Sequence, residues 1–534
     1  MRRFVALLPL LGLAACGRGE RSGGASGGGP AAALAASGDA PAAADAAAPA
    51  RRRAPPLPAV GLDGAPGLHA ATVPAPGRPR VHAKAQRVWI HERPSARAAR
   101  VGYLRAGASS PTGDGPAGRE GCRDGWYSVE PEGFVCVGSG GATLDGEDPI
   151  VVATREHAPD PLRKLPYIYG TVRRPGPVYA GPPARSDLDA AEPDLGQRME
   201  SWLRAEGEVG AGYAQHVWLG GPGEPPDPAR AWEQRASDPL PAGLTLGRTV
   251  PGFGKPREGI SLGRMKPKVG YSFLHTFLHE GRRYGLTTAL EVVATDRLRP
   301  IQGSDFQGFA IGLDVTFPFA IVRRPDARLW TRSKGKLLDA GAAPYRAPLA
   351  LSGKQNFFDG RLHFETRDGR WVSDRDASRL DAVRRMPKWG KDGERWIDVN
   401  VTKQTLVLYE GTRAVYATLV STGEAGLEDP NHSTATKRGI FRIHTKHVSA
   451  TMASDEIGEE FELRDVPYVQ YFDEGYALHG AYWHDRFGVP KSHGCINLAP
   501  EDARRIFYWT EPALPTGWHG VLLPLRGTTI FVHP

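Results

Sequence analysis

Along most of the chain after residue 80, apolar and polar residues alternate in short runs broken by Gly and Pro, which is the period of half-buried strands. Trp396 to Val401 alternates, Lys403-Gln404 reads as a turn, and Thr405 to Tyr409 returns as a second strand. Glu410-Gly411 turns again into Ala414 to Val420, and further strands are predicted at Gly439 to His444 and Tyr476 to Leu478. The period changes once, after Leu498. Pro500 suits a first helical position, Glu501 and Asp502 complement the positive end of a helix dipole, and Ala503, Ile506 and Phe507 fall on one face. The pattern predicts a mainly β protein whose C-terminal β-sheet domain, about 395–534, contains one short helix.

Upstream, a weak internal repeat recurs. Val88 to Pro94, Val172-Arg173-Arg174-Pro175 and Val322-Arg323-Arg324-Pro325 are strand-like runs ending in Arg and Pro. Each precedes a glycine turn, a strand with aromatics and a second short strand: Gly125 to Val129 with Gly133 to Val135, Gly281 to Thr287 with Leu290 to Val293, and Gly360 to Thr366 with Gly369 to Val372. These resemble small bacterial Src-homology-3-like barrels. The first copy spans 81–140, and 160–390 holds two further barrel-like copies, one distended by an insertion at about 185–268, or one continuous β-rich domain. The resemblance implies wall binding or a spacer that orients the last domain, and fold alone does not choose between them.

The N-terminal segment has no strand pattern. Arg2 and Arg3 precede an apolar run from Phe4 to Leu13, too short to span a bilayer but suited to a signal-peptide core. Leu13-Ala14-Ala15-Cys16 resembles a bacterial lipobox, which implies a signal at 1–16 and a lipid on Cys16, against an ordinary secretory signal with Cys16 incidental. Gly17 where an inner-membrane retention signal would carry Asp leans toward the outer membrane, with the protein facing the periplasm. From 17 to 80 the chain is Ala, Gly, Pro and Ser, too poor in large apolar residues to offset ordering entropy, and reads as a disordered tether with a coil dimension of roughly 45 Å. The net charge of +8 over 534 residues is mild, and Arg51-Arg52-Arg53 is the longest basic run, so nucleic acid is not an expected partner.

Four cysteines permit individual assignment. With Cys16 in the signal, Cys122 and Cys136 are expected to pair as a disulfide between neighbouring strands in an oxidising compartment, leaving Cys495 as the odd thiol. A thiol is nucleophilic as thiolate and needs a base. His479, at a strand end and followed by Gly480, is the candidate base. In Ser492-His493-Gly494-Cys495-Ile496-Asn497, Gly494 lets the chain turn so that backbone N–H groups face one point and a substrate approaches closely. His275 and His279 have the spacing of one helical turn, and His444 and His447 add density, but no metal motif accompanies them. No metal and no cofactor is expected.

His479-Gly480, a gap of about fifteen residues, and Ser492 to Asn497 resemble the signature of the L,D-transpeptidase family of peptidoglycan cross-linking enzymes. Trp483, Phe487-Gly488 and Pro490 match its usual filler, and Ile397 through Tyr409 with Val420 to Gly423 resembles its first hairpin. The likeness runs from about Trp396 to the C-terminus. It implies Cys495 as nucleophile on a stem tetrapeptide, His479 as general base and acid, an oxyanion site at the His493 to Cys495 turn, and Ser492, His493 and Asn497 as site-shaping groups. Water as acceptor would make a carboxypeptidase, and a protein amine a protein-to-wall attaching enzyme. Papain-like wall endopeptidases place the cysteine before the histidine, the reverse of the order here, while a non-catalytic wall-binding lipoprotein is the other class. Two departures stand out: Thr436-Lys437-Arg438 replaces the usual Pro-Thr-Gly and adds positive charge, and Ala499 replaces a helix-capping Ser, at a cost of about 1 kcal/mol.

Overall fold

A computed structural model describes residues 77–198, 200, 204, 260–280, 282–454, 461–523 and 527–534. The signal with Cys16, nearly all of the tether and most of the insertion lie outside the described residues. The chain is mainly β. All three repeat copies carry the antiparallel hairpin that their pattern predicts: Trp126–Ser128 with Phe134–Cys136, Arg282–Thr287 with Val292–Ala294, and Arg361–Thr366 with Trp371–Ser373. Each Arg-Pro run follows a strand end, at His91, Val172 and Val322.

Residues 160–390 do not form one continuous sheet. Strands from Ile168–Val172 to Leu298–Ile301 belong to a large 16-stranded sheet, whereas Phe319–Val322 through Ala377–Leu380 close into a seven-stranded sheet of their own. In the first copy Cys122 and Cys136 are joined in a disulfide with Cα atoms 5.8 Å apart. Cys136 ends a strand, but Cys122 lies in the turn before Trp126–Ser128 rather than in a strand. His275 and His279 share the strand Val269–His279, so their spacing of four is a strand repeat and not a helical turn. His275 is buried with its ring 4.8 Å from that of His157, and no group of three or more metal-ligating side chains occurs among the described residues.

The C-terminal part has two layers around one core. Arg395–Asn400, Thr405–Glu410 and Arg413–Leu419 form a meander, and Arg395–Asn400 also pairs in parallel with Thr529–His533. The second layer is the long hairpin Thr445–Ser454 and Phe461–Asp473, extended by Tyr476–Gly480 and Ile496–Leu498. Between them, Ile397, Val399, Leu406 and Leu408 meet Leu478, Ile496, Leu498 and the helix residues Ala503, Ile506 and Phe507. The hairpin is longer than its own domain needs. Phe461–Asp473 pairs in parallel with Val269–His279, and Thr445–Ser454 pairs with Gly520–Leu522, which pairs with Arg100–Leu104 of the first copy. One sheet therefore ties the first two repeat units to the C-terminal domain.

Candidate active site

Parallel pairing sets the site. Leu478 lies opposite Ile496, His479 opposite Asn497 and Gly480 opposite Leu498. Successive strand side chains point to opposite faces, and Leu478, Ile496 and Leu498 are turned into the core. His479 and Asn497 therefore share the other face, and Cys495, in the bend just before the second strand, is buried in the cluster that also holds Ala477 and Tyr482. Cys495 is outside any disulfide, and both it and His479 are 2% exposed. Its Sγ lies 3.7 Å from the Gly475 carbonyl.

The motif loop is held from several sides. Ser492 N donates to Thr422 O (3.1 Å), Glu424 N to Ser492 O (2.9 Å), and Ser492 Oγ donates to the Cys495 carbonyl while accepting from Gly494 N (3.2 Å). Thr436 Oγ1 donates to Gly494 O and accepts from Gly423 N, both at 2.8 Å. Gly494 has φ +120°, and a Cβ there would sit 2.9 Å from Tyr476 Cε1, so the turn requires glycine. His493 is half-buried beside it. Asn497 is tied by its backbone in both directions to Ser421, at 2.9 Å each.

His479 Nδ1 lies 3.4 Å from the Gly480 carbonyl. A proton on Nδ1 donates to that oxygen and leaves the Nε2 lone pair for a thiol proton. The ring packs on Trp483, with centroids 5.6 Å apart. A third imidazole, which nothing in the spacing of the motif flagged, completes the cluster. The Asn497 side-chain amide lies 2.9 Å from His484 Nε2, and Arg486 N donates to His484 Nδ1 (3.2 Å). A neutral ring that accepts at Nδ1 carries its proton on Nε2, so the hydrogen bonds balance when Asn497 presents its amide oxygen there. Burial, followed by the charges of His479 and Lys491, pushes the His484 pKa down to about 4, and the ring is neutral near pH 7.

Both departures have structural answers. Lys437 forms an ion pair with Asp473, which compensates one of the two added charges, and Arg438 donates to the Glu428 backbone carbonyl (3.3 Å). Ala499 is the N-cap of the helix Pro500–Trp509, and no side chain caps that end. At the other end the buried Lys446 donates to Thr510 O (2.8 Å) and to Phe507 O, and burial pushes its pKa down to about 7. The helix behind Cys495 thus has carbonyls of its last turn met by a side chain, while its N-cap position carries none.

A buried thiol directly before a strand whose neighbour carries a buried imidazole, beside a glycine turn, is an arrangement for acyl transfer. Residues 394–532 match the model of YkuD, the L,D-transpeptidase catalytic domain. YciB of Bacillus subtilis (strain 168), described as a candidate L,D-transpeptidase, is 28% identical over 138 residues, covering 21% of this chain and 59% of that protein. The chain thus spans just over half the length of that relative. A crystal structure of an Enterococcus faecium L,D-transpeptidase mutant overlaps 26% of this chain and 50% of its own, at 22% identity and TM-score 0.20. One from Stackebrandtia nassauensis covers 26% and 56%, at 28% identity and TM-score 0.19. The family model carries the assignment: the last part of the chain is an L,D-transpeptidase-type catalytic domain.

Proposed function

We propose that this protein is a peptidoglycan L,D-transpeptidase that works through a thioester on Cys495. The observation that carries the reading is the register of Tyr476–Gly480 against Ile496–Leu498, which sets His479 opposite Asn497, with the buried Cys495 directly before that second strand. His479 takes the thiol proton, and the thiolate attacks the carbonyl of the third stem residue. The amide C–N bond breaks, the terminal D-alanine leaves with the proton returned by His479, and a thioester remains. An amine of a second stem then forms a new amide bond, giving its proton to His479, and the Cys495 thiolate is released. Backbone N–H groups of the His493 to Cys495 turn serve the oxyanion; that of Gly494 is already shared with Ser492 Oγ. The same proposal places the domain on a lipid at Cys16, facing the periplasm on the outer membrane, with the repeat units as Src-homology-3-like modules.

The test is a carbapenem. Purified protein is expected to gain the mass of one adduct on the peptide carrying Cys495, and Cys495→Ala to gain none. Native protein that takes no adduct while its thiol reacts with a small alkylator would move the reading to a non-catalytic wall-binding protein. Incubation with muropeptide tetramers then separates cross-linked dimers from hydrolysed trimers, the latter marking a carboxypeptidase.

A further inference from the structure

The second repeat unit touches the catalytic domain close to its base. Tyr169, in the strand Ile168–Val172, and Tyr482, three residues after His479, are buried against each other with ring centroids 4.4 Å apart. Their hydroxyls donate to successive carbonyls of the strand Phe461–Asp473: Tyr482 to Arg464 O (3.2 Å) and Tyr169 to Asp465 O (2.6 Å). Tyr482 meets Trp483 edge to face at 5.1 Å, and Trp483 lies on His479. The segment is anchored just before these rings, where Ala481 N donates to Leu498 O (2.9 Å). Tyr482 and Trp483 thus leave one fixed point toward different neighbours, the first toward the second unit and the second toward the base.

We propose that Tyr169 is a positioning residue for His479, acting through Tyr482 and Trp483, so that the second repeat unit completes the active site rather than serving as a spacer. A second observation points the same way. Gly270, in the strand Val269–His279, faces Tyr482: a Cβ there would lie 2.5 Å from the Tyr482 hydroxyl oxygen and 3.1 Å from Cε2. The strand leaves room at that position for this ring. Aromatic pairs hold preferred offsets and tilts, so removing the Tyr169 plane frees Tyr482 to turn, and Trp483 loses the edge that keeps it over the imidazole. Tyr169 touches no reacting atom.

The proposal rests on reading Cys495 and His479 as nucleophile and base, and its test does not require transpeptidation. The rate of iodoacetamide alkylation is measured against pH on the full chain, by mass spectrometry of the peptide carrying Cys495. Its midpoint reports how well the imidazole stabilises the thiolate. Tyr169→Phe, which keeps the ring, is expected to match the wild type. Tyr169→Ala and the volume-keeping Tyr169→Leu are expected to raise the midpoint by about half to one pH unit, a slowing of about 3- to 10-fold below it. Phe277→Ala, in the same buried cluster but with its ring on His275 and Tyr284 rather than on Tyr169 or Tyr482, is the structural control and is expected to leave the midpoint in place. Gly270→Ala, which crowds Tyr482 without deleting a contact, is expected to shift it in the same direction as Tyr169→Leu. A folded Tyr169→Leu with the wild-type midpoint overturns the proposal, as does a Phe277→Ala shift of equal size. If neither Tyr169→Ala nor Tyr169→Leu folds, Gly270→Ala decides by the same criterion. A wild-type midpoint at the ordinary thiol value of about 8.5 would instead remove His479 as the base, and with it the functional reading.

Discussion

Two buried polar clusters share the long strand Phe461–Asp473 and its neighbours, and they are built in opposite ways. At the junction of the first two repeat units with the catalytic domain, Asp465 accepts from Arg105 Nη1 (2.6 Å), Ser272 Oγ (2.6 Å), Thr288 Oγ1 (2.6 Å) and Ser449 Oγ (2.7 Å). At the catalytic face, His479 reaches the Gly480 carbonyl at 3.4 Å and Cys495 reaches Gly475 O at 3.7 Å. The junction is saturated with short bonds from three regions of the chain. The site holds its base by backbone register and by ring packing, and the contact of its ring nitrogen is a long one. A carboxylate with every lone pair occupied fixes geometry but has little capacity left for chemistry; an imidazole on one long bond can still exchange a proton.

The largest expected effect comes from breaking the saturated side. Burial alone would raise the Asp465 pKa, but the Arg105 guanidinium and the hydroxyls of Ser272 and Thr288 outweigh it and hold the carboxyl well below the usual range. Asp465→Ala leaves Arg105 buried without its ion pair and is expected to cost about 3–5 kcal/mol, read from urea unfolding. Asp465→Asn, which keeps the shape, is expected to cost less. A loss under about 1 kcal/mol for the alanine variant would mean that the junction is not the keystone its geometry describes.

A smaller effect sharpens the contrast through pH. His484 has its pKa lowered to about 4 in the folded chain against an ordinary value of 6.5, so its contribution is complete above 6.5 and is lost as pH falls toward 4, because the unfolded chain binds the proton first. His447, pushed down to about 3 mainly by burial, and His519, held well below its ordinary value by burial and then by Arg105, act with the same sign. The wild type is expected to lose stability between pH 7 and pH 5, and His484→Gln to lose on the order of 1 kcal/mol less over that interval. Equal losses in both proteins would remove His484 from the acid response and leave it to the junction and the remaining histidines.

Much of the catalytic domain was legible because its signals are local. Trp396 to Val401 alternates with period two, the chain turns at Gln404, whose φ is +57°, and Pro500 with Glu501 and Asp502 marks a helix start. The hairpins of all three repeat copies were legible for the same reason. The long hairpin Thr445–Ser454 and Phe461–Asp473 carries a weaker local signal, because its burial comes from partners far along the chain. Asp465 would read as a surface carboxylate in sequence; only the arrival of Arg105 and Ser272 makes it a buried acceptor. Nothing local marks His484, whose role depends on facing Asn497 across the fold. The spacing of His275 and His279 fits a helical turn and a strand alike, because four residues also return to one face of a strand, and period alone does not separate the two.

The smallest expected effect lies at the start of the helix behind Cys495, where the site lacks what the junction has in full. Ala499 caps Pro500–Trp509 without a side-chain acceptor. The N3 residue, Asp502, does not reach back to the cap: its buried carboxylate accepts from Tyr416 Oη, Thr418 Oγ1 and Gly308 N, tying the helix to the neighbouring sheet. Serine at 499 adds one oxygen where N–H groups of the first turn lack a side-chain acceptor, so Ala499→Ser is expected to gain about 0.5–1 kcal/mol. The melting temperature would rise by about 1–4 °C, with the Cys495 alkylation profile unchanged. Because Ala499 is fully buried, the sign is informative. A hydroxyl that found no donor would bear a desolvation cost of about 1–3 kcal/mol, and a fall in stability would show that the helix start, like Asp465, is already satisfied.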